Sequence, residues 1–126
     1  MNIQELQTIA RENLPVKIIL FNNSALGMIR HFQEMYFDNN YVQTTPEGGY
    51  TVPDFGAVAA AYKIPYTCIT SEDEVDGKLF GQDGPQFIEV KITEPTYVFP
   101  KLEFGKPNQD QEPLLPREKY IRLMEL

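Results

Sequence analysis

An apolar segment that ends in two adjacent asparagines and leads directly into an amphipathic segment most constrains the fold of this chain. Residues 16–32 read VKIILFNNSALGMIRHF. The apolar run has the length and composition of a strand that is covered on both faces, as in a parallel sheet. A strand, a polar turn and a helix start form the ligand-binding edge of open α/β sheets, where the carboxyl ends of the strands lie. The segment therefore predicts a strand, a turn and a helix with a binding site at the turn.

Strands and helices are predicted to alternate along the rest of the chain. Apolar residues at helical spacing predict helices over residues 2–13, 25–36 and 55–62, the last with Asp54 as its N-cap. Ser71 and Glu74 form a capping box, which predicts a further helix that ends near Phe80. Short apolar runs predict strands over residues 16–21, 64–69 and 86–93. This order indicates an α/β fold in which helices flank a parallel sheet.

The chain changes character after Glu94. Five prolines follow, at positions 95, 100, 107, 113 and 116, and they predict an extended Pro-rich C-terminal arm with a short helix over residues 118–124. The predicted domains are therefore residues 1–94 and the arm, residues 95–126. The arm is either a loosely ordered tail or a segment that packs on another domain or subunit. Its aromatic residues favour packing, because disordered tails are poor in them.

Composition excludes several classes of function. The chain carries a formal net charge of -7 and has no basic patch, so we expect no nucleic-acid partner. Its apolar runs are too short to span a bilayer, so we expect no membrane partner. The single cysteine, Cys68, rules out an internal disulfide. No signal peptide is visible after Met1, and a cytoplasmic location is therefore the expectation.

The segment FNNSALGMIRHFQEMYFDNNY resembles the acetolactate synthase-like family of thiamine diphosphate-dependent enzymes. The flanking segments are similar as well: MNIQELQTIARENLPVKIIL, PDFGAVAAAYKIP, DGPQFIEVKI and YVFPKL. The resemblance covers about residues 1–105 and implies part of a thiamine diphosphate-binding fold. It also implies an enzyme that decarboxylates a small-molecule 2-keto acid and adds the resulting carbanion to a second carbonyl. Simple decarboxylases and flavin-dependent pyruvate oxidases fit the same residues.

The resemblance assigns the two asparagines to a site for Mg²⁺ and the cofactor diphosphate. In this family the motif begins with Gly-Asp-Gly and ends with Asn-Asn. Carried over, the side-chain oxygen of Asn23 and the carbonyl of Ala25 would bind the metal, which prefers oxygen ligands. The implied cofactor-binding residues are Asn23, Ser24, Ala25, Leu26, Gly27 and Met28. The helix start would direct N–H groups at the diphosphate, and the small Gly27 would allow close approach.

Two residues of the following helix are candidates for substrate contact. The family lines the substrate end of the cofactor with this helix start, so Met28 and Phe32 either contact substrate or pack in the core. Acetohydroxyacid synthases usually have tryptophan at the position of Phe32, which argues against biosynthetic acetolactate formation. The tail GKPNQDQEPLLPREKY also differs from the usual synthase end and is similar to sugar-pathway or uncharacterised members.

The Gly-Asp-Gly half of the motif is not among the 126 residues. Met1 aligns with an internal methionine of the family, so we expect the C-terminal portion of a longer enzyme or the product of an internal start. The glutamate that activates the cofactor in the family is also outside the sequence, and no catalytic residue is predicted. We therefore expect thiamine diphosphate and Mg²⁺ to bind tightly only in a complete enzyme. An exposed apolar strand edge would favour a homo-oligomer.

Alternatives and other chemistry-bearing residues remain. A non-catalytic α/β interaction module, or a remnant of such an enzyme, is the alternative function, and a flavodoxin-like carrier is weaker because no phosphate loop is present. His31, the lone histidine, is interpreted as a surface or packing residue. Cys68 is interpreted as a buried, inert thiol. Residues 47–49, Glu-Gly-Gly, are interpreted as flexible loop.

Overall fold

Three parallel strands with helices around them form the first of two compact units. The computed structural model describes residues 2–99 and 103–126, and its units are Met1–Thr96 and Tyr97–Leu126. The elements of the first unit are α1 (Glu5–Arg11), β1 (Lys17–Asn22), α2 (Gly27–Tyr36), α3 (Phe55–Ala61), β2 (Tyr66–Ile69) and β3 (Gln86–Lys91). Met1 and residues 100–102, on which parts of the resemblance and of the arm prediction fall, lie outside the described residues.

The strand order is β1-β3-β2, and both pairings are parallel. This order confirms the α/β fold with a parallel sheet flanked by helices. β3 is the central strand, and Ile88 on it pairs with Ile19 of β1 and Thr67 of β2. The first four residues of β3 are all buried, because neighbours cover them on both sides.

The prediction that β1 is covered on both faces is wrong. β1 pairs only with β3 among the described residues and forms an edge of the sheet. Ile19 and Phe21 on it are 46% and 71% exposed, respectively. Both point to the same face of the sheet, since side chains alternate along a strand. The composition of a strand reports its preference for burial, whereas its place in the sheet depends on contacts distant in sequence.

The core lies between the opposite face of the sheet and the helices α1 and α3. Its buried residues are Leu6, Phe55, Ala59, Ile64 and Phe87. The Asp54 side chain accepts a hydrogen bond of 2.9 Å from the Ala57 N–H, which confirms the predicted N-cap of α3. A smaller cluster of Ile69, Leu79 and Ile88 lies on the Ile19 side of the sheet.

The helix predicted from the capping box does not form as an α-helix. Only a short 3-10 helix, Glu72–Glu74, follows Ser71, and the Ser71 hydroxyl accepts from the Asp73 N–H. The Glu74 carboxylate accepts from the N–H and the hydroxyl of Thr70. Asp76 explains why the helix ends early. Its carboxylate accepts the Lys78 and Leu79 N–H groups, and the resulting side-chain turn takes the place of a further turn of helix.

The described residues of the second unit form one helix, α4 (Arg117–Met124). The Arg117 guanidinium donates to both carboxylate oxygens of Asp110, at 2.9 and 2.7 Å. The Gln111 side chain accepts from the Glu103 N–H and donates to the carbonyls of Lys106 and Pro107. These bonds hold the described part of this Pro-rich segment together. Nowhere in residues 2–99 and 103–126 is a helix both long and apolar enough to cross a membrane.

Candidate functional site

The two asparagines form successive side-chain turns at the carboxyl end of β1. The Asn22 Oδ1 atom accepts the Ser24 N–H at 2.9 Å, and the Asn23 Oδ1 atom accepts the Ala25 N–H at 3.2 Å. Ser24 has a positive φ of 51°, which is uncommon for a residue with a side chain. Asparagine turns of this kind stabilise such a backbone, because the side chain replaces a missing backbone acceptor. The local sequence therefore determines the shape of the turn.

The amide of Asn23 has a defined orientation. The Ala25 N–H must point to its oxygen, and its nitrogen donates to the Thr96 hydroxyl at 3.3 Å. A methyl group at Gly27 would come within 3.1 Å of the Asn23 Nδ2 atom. Gly27 is thus small because the Asn23 amide packs over it. Whether the small size of Gly27 also allows close approach of the cofactor stays a prediction.

A cavity of about 370 Å³ opens at this turn. Asn22, Asn23, Ser24 and Ala25 line one side of it, and loop residues Thr45 to Glu47 and strand-end residues Lys91 to Thr93 line the others. Two cationic side chains, Arg30 and Lys91, and one carboxylate, Glu47, also line it. Oxygen atoms that can ligate a metal and cationic side chains are thus present together, as a site for an anionic group with a bound metal requires.

The loop between α2 and α3 is hydrogen-bonded to the turn, and the interpretation of residues 47–49 as flexible loop stays a prediction. The Thr44 carbonyl accepts the Leu26 N–H at 3.0 Å, and the Thr44 hydroxyl donates to the Gln33 side chain. Thr44 and Thr45 are buried. A methyl group at Gly48 would lie 1.6 Å from the Tyr41 carbonyl oxygen, so this position requires glycine. The loop therefore holds Glu47 at the cavity.

The helix α2 exposes the residues that were candidates for substrate contact. Met28 is 61% exposed and does not pack in the core. The Phe32 ring is partly exposed and contacts the rings of Tyr36 and Phe37, with centroids 4.8 and 5.8 Å apart, respectively. His31 is the buried residue of this helix, in line with its interpretation as a packing residue. Whether Met28 or Phe32 meets a substrate stays a prediction.

Behind the turn lies a cluster of polar side chains on the core face of the sheet. The buried Glu89 carboxylate accepts from the Asn22 amide at 2.6 Å and from the Tyr66 hydroxyl at 2.5 Å. The hydrogen bond to Glu89, followed by burial and by the neighbouring Cys68, raises the pKa of the Tyr66 hydroxyl. Cys68 is half-buried, so its interpretation as a buried thiol is only partly right.

The donor set fits a magnesium ion that also binds an anionic ligand. Within residues 2–99 and 103–126, no group of three or more His, Cys, Asp or Glu side chains is placed to hold a metal. The available oxygens are the Asn23 amide, which has a second lone pair, and the Ala25 carbonyl. Among the described residues, no side chain caps the N-terminus of α2, where Leu26 is the N-cap residue. The N–H groups of the first helical turn are therefore available to bind an anion.

Residues 1–90 match the family described as thiamine pyrophosphate enzyme, C-terminal TPP binding domain. The match includes β1, the asparagine turn and α2. The chain belongs to this family. Thiamine diphosphate, which is the same compound as thiamine pyrophosphate, is therefore the cofactor that the turn and cavity suit.

Similar proteins are acetolactate synthases. The chain is 38% identical to the acetolactate synthase isozyme 2 large subunit of Escherichia coli, over 87% of this chain and 20% of that protein. It is 34% identical to the chloroplastic acetolactate synthase 2 of Zea mays, over 83% and 18%, respectively. It is 31% identical to the acetolactate synthase large subunit of Cyanidium caldarium, over 96% and 21%, respectively. The chain spans about a fifth of the length of these relatives.

Sequence reasoning identified the turn but missed the other cavity residues. Arg30, Glu47 and Lys91 come from a helix, a loop and a strand that are far apart in sequence. Only Lys91 had an available signal, because it ends a parallel strand at the same edge as Asn22, with which it pairs in register. The alternation of apolar and polar residues along its strand predicts that Glu89 faces solvent. Its burial is explained only by the central position of β3 in the sheet.

Proposed function

We propose that this chain forms the part of a thiamine diphosphate-dependent 2-keto acid decarboxylase or carboligase that holds the Mg²⁺-diphosphate end of the cofactor. The asparagine turn supports this proposal most directly, because it presents amide and carbonyl oxygens at the rim of a cavity that also contains two cations. The match over residues 1–90 supports the choice of cofactor. The acetolactate synthases among its relatives support the reaction class.

Asn23 and Ala25 would hold the metal, and the cofactor when bound would supply the electron sink for decarboxylation. Arg30 and Lys91, which line the cavity, would offset the charge of the diphosphate. The N–H groups at the start of α2, from Gly27 onward, would donate to phosphate oxygens. The exposed side chain of Met28 would be available for contact with the substrate.

A titration of the purified chain tests the binding claim. Amide resonances of uniformly ¹⁵N-labelled protein are followed while thiamine diphosphate is added with Mg²⁺. We expect saturable shifts at Ser24, Ala25 and Gly27, with an apparent affinity in the millimolar range, corresponding to about −4 kcal/mol. Thiamine without the diphosphate should give no such shifts. Equal shifts with thiamine and thiamine diphosphate would refute a diphosphate site at the turn.

Two variants sharpen the same titration. Asn23→Ala removes a proposed metal ligand and should abolish the Mg²⁺ dependence of binding. Asn40→Ala changes an exposed asparagine of the loop and serves as the matched control, with binding unchanged. Loss of binding in both variants, or in neither, would contradict the assignment of Asn23.

We expect no carboligation by the 126 residues alone, because they contain neither the Gly-Asp-Gly carboxylate nor a cofactor-activating glutamate. Pyruvate, thiamine diphosphate, Mg²⁺ and the purified chain should give no acetolactate above the enzyme-free rate. Acetolactate formation by this chain would refute the proposal that catalysis requires residues outside these 126.

A homo-oligomer is proposed as the state of the isolated chain. The support is the exposed edge β1, where Ile19 and Phe21 face outward, together with Met28 and Ile29 on α2. Apolar strand edges favour pairing with a second copy. Sedimentation velocity of the purified chain should show a dimer or larger species, and a monomer at all concentrations would contradict this.

A further inference from the structure

A buried carboxylate lies in the middle of the sheet, behind the turn. Glu89 is on the central strand β3 and is 3% exposed. Its register partners are Leu20 on β1 and Cys68 on β2, so no cation opposes it across the strands. A charge in such a place is strongly unfavourable unless hydrogen bonds satisfy it. The burial of Glu89 therefore depends on the hydrogen-bond donors that its carboxylate binds.

Two donors satisfy the carboxylate, one from each neighbouring strand. The Asn22 Nδ2 atom donates to Oε1 at 2.6 Å, and the Tyr66 hydroxyl donates to Oε2 at 2.5 Å. An amide nitrogen can only donate, so the bond to Asn22 requires an acceptor oxygen on Glu89. Bonds between a charged acceptor and neutral donors are stronger than those between neutral groups.

The bond to Glu89 determines which way the Asn22 amide faces. With its nitrogen bound to Glu89, its oxygen faces the Ser24 N–H and accepts it at 2.9 Å. That bond holds Ser24 at its positive φ of 51°. A rotated Asn22 would leave the Ser24 N–H without this acceptor, and the turn would lose its main support.

We infer that Glu89 is a positioning residue, which through Asn22 holds the asparagine turn in the geometry that brings the Asn23 oxygen and the Ala25 carbonyl to the cavity. Glu89 is not among the residues that line this cavity, so it acts through Asn22. Tyr66 supports the carboxylate from the other side. The effect on the turn follows from the hydrogen bonds alone, whereas its consequence for the cofactor rests on the proposed function.

Hydrogen exchange of the free chain tests the effect on the turn. Glu89→Met removes both acceptors at similar volume, whereas Glu89→Gln keeps an acceptor for Asn22 and an amide for Tyr66. Ile88→Val, on the same strand but the opposite face, is the control for a general loss of stability. The Ser24 N–H should exchange about tenfold faster in Glu89→Met, the factor expected for one lost hydrogen bond. Exchange in the other two variants should stay within about threefold of the wild type.

A second measurement uses only a variant that retains the bonds. In Glu89→Gln, the side-chain amide resonances of Asn22 should move, because a charged acceptor becomes neutral, while those of Asn40 should not. Unchanged Asn22 resonances would overturn the inference even if Glu89→Met does not fold. Equal Ser24 exchange in folded Glu89→Met and wild type would overturn it as well.

The cofactor titration separates this inference from the proposed function. If thiamine diphosphate and Mg²⁺ fail to bind the wild-type chain, the proposed function fails, while the exchange results still decide the role of Glu89. If the wild type binds, Glu89→Met should bind more weakly and Glu89→Gln should not. Equal binding by wild type and Glu89→Met, despite faster Ser24 exchange, would refute the link between Glu89 and the cofactor site.

Discussion

The two adjacent asparagines should have opposite roles, and replacing each by alanine separates them. Asn22 is buried, 8% exposed, and bonds both Glu89 and the turn backbone. Asn22→Ala loses a hydrogen bond to a charged group, about 1.5–3 kcal/mol, and a neutral one, about 1 kcal/mol. The expected loss of unfolding free energy is therefore about 2.5–4 kcal/mol.

Asn23→Ala should affect stability much less. Asn23 is half-buried, and its two hydrogen bonds are long, at 3.2 and 3.3 Å. Its loss should lower the unfolding free energy by about 1 kcal/mol or less. This variant should instead lose the Mg²⁺-dependent binding of thiamine diphosphate, because the proposed ligand oxygen is gone.

Urea unfolding at pH 7, followed by far-ultraviolet circular dichroism, measures the stability difference. The midpoint should fall for Asn22→Ala with an unchanged slope, which indicates a lower stability rather than a changed unfolded state. Asn40→Ala is again the control. If Asn23→Ala destabilises the chain as much as Asn22→Ala does, the assignment of one asparagine to the fold and the other to the ligand is refuted.

Three further changes test other parts of the account. Gly27→Ala should displace the Asn23 amide, which lies 3.1 Å from the added methyl group, and weaken cofactor binding at a stability loss of about 1 kcal/mol or less. The control is an unchanged urea slope, and unaltered binding would contradict the packing of Asn23 on Gly27. Gly48→Ala should destabilise the chain by about 1–3 kcal/mol in the same assay, because its methyl group overlaps a backbone carbonyl; a neutral effect would contradict the loop geometry. The hydrogen bond to Glu89 raises the pKa of the Tyr66 hydroxyl above its ordinary value of 10.0 in the folded chain. The contribution of this bond to the free energy of unfolding is therefore fully present below pH 10, and it is lost as the pH rises through the folded-state pKa. Wild type should therefore exceed Tyr66→Phe in thermal stability below pH 10, and the gap should narrow above it; a constant gap would argue against the bond.

The sequence correctly predicted a helix or strand boundary where a single short-range interaction determines that boundary. The N-cap at Asp54 was predicted because a single side chain bonding one backbone N–H defines it. The capping box at Ser71 predicted too long a helix because Asp76 competes for the next backbone N–H groups. The composition of β1 did not predict its edge position, since an apolar strand has the same composition wherever it lies in the order β1-β3-β2. The exposed apolar strand edge was instead expected from the resemblance.

The candidate site was predictable only in its contiguous part. Asn23 and Ala25 are neighbours in one motif, and the resemblance assigned them from the sequence. Glu47 and Lys91 reach the same cavity from a loop and a strand end that only the folded chain brings together. Glu89 gave no signal, because the alternation of its strand places it with the polar residues. Long-range contacts, rather than propensities, determine these positions.

The most direct test of the central claim is paramagnetic mapping of the metal on the chain. Mn²⁺ substitutes for Mg²⁺ at oxygen sites and broadens the resonances of nearby nuclei. In the presence of thiamine diphosphate, substoichiometric Mn²⁺ should broaden the amides of Asn23, Ser24 and Ala25 first, and Asn23→Ala should remove this effect. Broadening confined to the acidic segment Glu72–Glu74, with the turn unaffected, would contradict the account.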